Sequence, residues 1–232
     1  MGEPGPSPYR VSAVHGAHVA LGARLRDEAG WRVPDAYGDP AEEAARARAG
    51  AGLADASACG KLLVRSAAIE AFLVQAANVE WLAVGSALRI RIEGARTLAC
   101  RLADDELLLL TPPAESAAVA GVLEKVVADA GCAHLTDVTS GLAVLDVLGP
   151  RVVSLLARLS PLDLAALPPL AVVQGELARV HAIVLALDRP AGMRALVARE
   201  YGAFVWEALV EAGRDLGLTP VGAAARALLE TG

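Results

Sequence analysis

Few side chains in this chain are placed to do chemistry, and most of the obvious candidates fail on spacing. His15 and His18 stand three residues apart, which puts two imidazoles on one helical face. A zinc site needs three or four ligands, and no second ligand pair accompanies them. Ser57 and Ser140 have no His/Asp partner that would make either a nucleophile. Asp104-Asp105 has the side chains for acid–base work. The pair sits in the polar "ADD" between two apolar runs, where turn chemistry already accounts for aspartate. "LDVLGPRV" carries one glycine and is no phosphate loop. Cys59, Cys100 and Cys132 show no CxxC or metal spacing and read as buried free thiols. Gly30-Trp31 is different. Aromatics make up only 3% of the chain, yet Trp31 is followed by Pro34 and Tyr37 in what reads as a loop between two helical segments. A tryptophan there can wall a ligand channel or anchor packing.

The rest of the chain supplies ample material to position such residues. Of 232 residues 55% are hydrophobic, mean hydropathy is +0.45, and much of this is Ala, Leu and Val. A net charge of −6 and the lack of a basic stripe argue against nucleic acid or an anionic membrane as partner. Residues 1–10, rich in Gly and Pro, read as a flexible tail without the features of a signal peptide, and 11–232 as the domain. The longest apolar runs fall short of the ~18 residues of a membrane span. The expectation is a cytoplasmic protein.

Along the domain, strand and helix signals alternate. "KLLVR" (61–65) reads as a strand, and "SAAIEAFLVQAAN" has Ile69, Phe72, Leu73 and Ala76 on one helical face. "LRIRIE" alternates as a half-solvated strand does; "RTLACRL" and "ELLLLT" follow as strands, Pro112-Pro113 stops pairing, and a helix over 114–130 is closed by Gly131. The order then recurs: strand "LAVLDVLG", helix "PRVVSLLARLS" with Pro150 in its first turn, a hairpin about Gly175, strand "MRALV", and a long final helix over 199–216. Two pseudo-repeated strand-helix halves with helices on one side of antiparallel sheets give an α+β fold, and the halves are expected to pack as one unit.

Four blocks, in order, carry a resemblance. "LGARLRDEAGWRVPDAYG", "GLADASACGKLLVR", "LTDVTSGLAVLDVLGPRVVSLLARL" and "YGAFVWEALVEAGRDLGLTPVGAAARALLETG" resemble successive motifs of the glycine-cleavage aminomethyltransferase (T-protein) folate-binding superfamily. The match is to its N-terminal folate-binding domain, without the C-terminal β-barrel. The wider superfamily includes the folate-domain-like subunits of sarcosine oxidases; the K-G-C motif of an iron–sulfur-maintenance branch is absent here.

The resemblance implies tetrahydrofolate as cofactor, gripped at its pterin donors by a bidentate carboxylate, with an aspartate near the reacting nitrogen. This chain departs from that plan. "RIRIEGARTLACRLADDELLLL" is too short for the family's G-G-x-x-D-D hairpin. "LDRPAGMRALV" places Arg194 on the clamp glutamate, and arginine has donors only. Arg194 is read either as a ligand contact or as an outward-facing strand residue. Arg226 is retained and is read either as the contact for an anionic ligand or as the partner of Glu230 at i,i+4. Trp31, Arg194 and Arg226 are therefore the candidate cofactor-binding residues; no catalytic residue and no metal ligand is assigned. The implied function is a divergent, non-catalytic or partner-dependent subunit, like the small subunits of sarcosine oxidases, in one-carbon or amine metabolism. The alternative is an active tetrahydrofolate-dependent aminomethyl or methyl transferase. Partners expected are a protein chain or a second copy, covering an open apolar face near Trp31 and Arg226, and a folate or carboxylate small molecule.

Overall fold

The computed structural model describes residues 9–130 and 133–231. The chain enters through strand β1 (Arg10–Val11), helix α1 (His15–Ala20), strands β2 (Arg24–Glu28) and β3 (Trp31–Ala36), helix α2 (Pro40–Ala49) and strand β4 (Ala51–Asp55). The first half follows as β5 (Gly60–Ser66), α3 (Ile69–Ala77), β6 (Ser86–Ile92), β7 (Ala95–Ala103), β8 (Glu106–Thr111), α4 (Ser116–Ala130) and β9 (Ala133–Asp137). The second half is β10 (Leu142–Leu148), α5 (Val152–Leu156), β11 (Val172–Leu177), β12 (Val180–Leu187), β13 (Gly192–Ala198), α6 (Gly202–Gly213) and β14 (Leu218–Pro220), and helix α7 (Ala223–Thr231) comes after it.

The repeated order of elements is also a repeated sheet. The five-stranded sheet runs β6-β7-β8-β5-β9 and the six-stranded one β11-β12-β13-β10-β4-β14. Each half thus folds its strands in the same spatial order, and β4 is intercalated before the last strand of the second. Alternation along each strand sends one set of side chains to each face. Leu62, Val64, Ile90, Ile92, Leu107 and Leu109 leave the five-stranded sheet toward Phe72 and Leu73 of α3 and Leu123 of α4. Leu145, Val147, Val184 and Ala195 leave the six-stranded sheet toward Leu155 of α5 and Val205 and Leu209 of α6. The opposite faces meet each other: Leu98, Cys100, Leu108 and Leu110 pack on Val144, Leu148, Leu185 and Leu196. Helices α3–α6 cover one side of each sheet, as the sequence predicts, whereas α2 and α7 pack on the other face of β4 through Ala44, Ala47, Ala54 and Ala225, and the two halves share an apolar layer.

Several local readings are corrected. Residues 24–36 form a β-hairpin and not a helix with a loop. Glu28 pairs with Trp31 across a two-residue turn, Ala29-Gly30, with φ of 48° and 79°. That left-handed pair is the turn whose twist matches flanking strands. Arg24 and Arg26 reach across it to Asp35. Arg10, assigned to the tail, sits in β1 opposite Trp31. The β11–β12 hairpin turns at Ala178-Arg179, again with both φ positive (49° and 66°), so Gly175 is a strand residue paired with Ala182. A Cβ there would sit 2.8 Å from Leu162 Cδ2, so a larger residue would have to displace that side chain. Helix α5 has five residues and Pro150 precedes its N-cap, Arg151, and so lies outside its first turn. The helical stretch at 199–216 consists of α6 between two 3-10 turns, and it is not final, since α7 follows. Gly131 and Cys132 lie outside the described residues.

Candidate functional site

Strand β10 carries one charge in an apolar run. Asp146 shares its face with Val144 and Leu148, so it points into the layer between the sheets, fully buried. Arg194 stands directly opposite on β13. Its Nε and Nη2 donate to the two carboxylate oxygens of Asp146, at 2.7 and 2.9 Å. This is the bidentate fork that suits guanidinium to carboxylate. From α7, Arg226 Nη2 approaches Asp146 Oδ2 at 3.0 Å and Glu230 Oε1 at 3.5 Å. Two guanidiniums thus share one buried carboxylate. Burial alone would raise the pKa of Asp146, but the charges of Arg194 and Arg226 and the Arg194 hydrogen bond outweigh it and hold it below the usual carboxylate range. Burial pulls Arg194 down and Asp146 pulls it up more strongly, so it stays charged.

The outward-facing reading of Arg194 is therefore overturned: it is 8% exposed. A charged residue in a mid-sheet position survives burial because a carboxylate stands opposite it. What remains exposed of it lines a cavity of about 210 Å³. Hairpin residues Arg26 and Glu28, the β4–β5 connection with Asp55 and Cys59, and Arg226 and Glu230 of α7 form its other walls. Arg226 contacts Glu230, as one of its two readings has it, and it also lines the cavity. The rim is charged, which corrects the expectation of an open apolar face.

Trp31 does not line this cavity. It is 3% exposed, with the Arg10 guanidinium 5.5 Å and Lys61 Nζ 6.0 Å from its ring. Lys61 is itself fully buried, gives one hydrogen bond to the Ser57 carbonyl at 2.7 Å, and has its pKa lowered chiefly by burial. Structure brings Arg194 and Arg226 together and sets Trp31 apart as a packing anchor.

His18 is engaged by residues other than His15. Its Nε2 meets Asp55 Oδ2 at 2.9 Å and its Nδ1 meets the Tyr37 hydroxyl at 2.8 Å, with the Trp206 ring edge-on at 5.2 Å. Asp55 in turn accepts from Ser57 N at 2.9 Å and is among the residues lining the cavity. Among the described residues no group of three metal-ligating side chains occurs. Asp104 and Asp105 occupy the exposed β7–β8 turn, away from the cavity. The β6–β7 hairpin closes in two residues, Glu93-Gly94, leaving no room for an acidic hairpin loop.

The sequence profile of the GCVT N-terminal domain matches residues 14–231. The chain belongs to that family. Among its curated relatives are the aminomethyltransferases of Saccharopolyspora erythraea, 31% identical over 94% of this chain and 62% of the relative, and Streptomyces coelicolor, 32% identical over 94% and 61%. The GCVT chain thus spans a little under two thirds of these relatives. Its fold is that of the glycine cleavage system aminomethyltransferase T from Bartonella henselae, with a TM-score of 0.85 at 22% identity over 95% of this chain and 62% of that one. A chain of the heterotetrameric sarcosine oxidase from Corynebacterium sp. U-96 is similar at a TM-score of 0.65 and 17% identity, over 92% of this chain and 99% of that one.

For a member of this GCVT family the residues present do not fit a pterin held by a carboxylate. Position 194 offers donors only, and both oxygens of the neighbouring Asp146 are already taken by Arg194 and Arg226. Asp146 is the residue that sequence reasoning missed. A lone carboxylate inside "LAVLDVLG" was the available signal, because a buried charge requires a partner.

Proposed function

We propose that this chain is a non-catalytic, partner-dependent member of the GCVT family, acting in cytoplasmic amine or one-carbon metabolism, whose cavity takes a carboxylate-bearing small molecule in place of tetrahydrofolate. The observation that carries the reading is the buried Asp146–Arg194–Arg226 cluster, two cations on one anion at the position where the family resemblance calls for a pterin clamp. A carboxylate ligand meets arginine as a fork meets its acceptor, whereas the donor edge of a pterin finds no open acceptor at position 194 or on Asp146, whose oxygens are both engaged. The cavity is also small: about 210 Å³, against roughly 300–1,000 Å³ for sites that bury a drug-sized ligand.

The subunit part of the proposal takes its pattern from the sarcosine oxidase chain matched over 99% of its length, which works inside a heterotetramer. Trp81, 67% exposed, and nearby Val84 supply the kind of apolar anchor that a protein partner buries. No helix of the described residues is long and apolar enough to cross a membrane. Calorimetry with tetrahydrofolate and with propionate tests the reading, alongside an aminomethyl-transfer assay with the other glycine-cleavage components. Propionate binding without tetrahydrofolate binding or turnover is expected. Micromolar tetrahydrofolate affinity, or substantial turnover, would overturn it in favour of an active transferase.

A further inference from the structure

The cavity lining is not simply cationic. Arg26, Arg194 and Arg226 face Glu28, Asp55 and Glu230, three of each sign. Asp55 is spent, its oxygens held by His18 and the Ser57 amide. The remaining groups are less complete. Arg194 Nη1 makes no hydrogen bond among the described residues, while its Nε and Nη2 are both engaged. Arg226 Nε is buried without a partner. On the same helix, Glu230 is held only by the Arg226 contact at 3.5 Å, longer than a charge-assisted hydrogen bond. Glu28 has one oxygen on Arg26 and leaves the other without a described donor.

An unmet donor, Arg194 Nη1, therefore lies on the arginine side of the cavity beside the unpartnered buried Arg226 Nε, and unmet acceptors stand at its rim. A simple anion would satisfy the donor and be repelled by the acceptors. We propose that the ligand is a small zwitterionic α-amino acid, its carboxylate on Arg194 Nη1 and its ammonium between Glu230 and Glu28. The volume of about 210 Å³ is roughly seven water volumes at about 30 Å³ each, enough for an amino acid with a short side chain. Val33, Pro34, Pro113 and Val221 provide apolar wall for a methyl or methylene group. Fixing both ends of the ligand selects amino acids over plain acids and over amines, since either class leaves one set of charges unpaired. The inference rests on the carboxylate-binding reading above and narrows it.

Calorimetry on the full chain with L-alanine, glycine, propionate and L-alaninamide separates the two. L-Alanine is expected to bind at least ten-fold more tightly than propionate and than L-alaninamide. Glu230→Gln, on the exposed side of α7, should erase the preference over propionate by weakening L-alanine, while propionate, relieved of one repelling carboxylate, binds no more weakly than before. Arg194→Met, checked for folding by circular dichroism, should abolish binding of both acids. Equal affinity for L-alanine and propionate, or an L-alanine preference that survives both Glu230→Gln and Glu28→Gln, would overturn this inference and leave the carboxylate reading intact. Absence of binding by either acid would remove both.

Discussion

Asp146 and Arg194 stand opposite each other on neighbouring antiparallel strands and form a bidentate pair sealed between two sheets. Arg226, arriving from a helix about 30 residues later, leans on the same carboxylate. The pair thus ties the second half of the repeat to α7 and shapes the cavity that all three residues border or support.

Removing the shared anion should be severe. Asp146→Asn leaves two guanidiniums facing each other in a buried site, and breaking a buried pair in this way costs about 3–5 kcal/mol. Arg194→Met should cost less, because Arg226 still neutralises Asp146. Urea denaturation of both variants measures the order; an Asp146→Asn cost under about 1 kcal/mol would show that the cluster does not support the fold.

Rebuilding a pterin clamp should need two changes. Arg194→Glu alone places a carboxylate opposite Asp146 and turns the cluster from one net positive charge to one net negative. Such neighbours cannot both ionise freely. Tetrahydrofolate affinity is therefore expected only in Arg194→Glu combined with Asp146→Asn, where Arg226 can balance the new glutamate. Calorimetry on the single and double variants decides it, and equal affinity in both would contradict the charge argument.

Acid should find the same cluster. The pKa of Asp146 is depressed in the folded chain by Arg194 and Arg226 despite burial. A depressed carboxylate contributes stability that is complete above its unfolded value, near 3.9, and is lost as pH falls through that value toward the folded one. The Tm difference between wild type and Asp146→Asn should hold steady from about pH 5 to 8 and shrink below about pH 4. A difference that stays constant to pH 2.5 would assign the stability to packing and not to charge.

Two backbone positions give opposite signs. Gly149 has φ of +98°, and a Cβ there would lie 2.1 Å from the Ala47 carbonyl oxygen. Gly149→Ala should destabilise by about 2–4 kcal/mol, combining left-handed strain with a backbone clash. Arg179 holds φ of +66° in the exposed β11–β12 turn. Arg179→Gly relieves a strain of about 1–2 kcal/mol against a higher unfolded-state entropy, for a net gain of about 0.5 kcal/mol. Thermal melts rank the three proteins, and a stable Gly149→Ala would refute the close approach.

By itself the sequence determined the α+β class, the repeat and the family, because each rests on local information. Leu88, Ile90 and Ile92 alternate with arginines whatever they pack against, and Ile69, Phe72 and Leu73 share a helical face at any depth. That Arg194 stands where the family's clamp glutamate is expected came from the resemblance in the sequence. Its direction did not. A strand residue faces one side or the other of a sheet, and only the stacking of the two halves made the Arg194 side an interior. Asp146 lies 48 residues before its partner, so no local pattern could pair them. The same holds for Trp31, whose channel or packing role depended on a hairpin folding over Lys61. Tertiary structure decided these points because a buried charge is tolerated only where a distant part of the chain supplies its counterion.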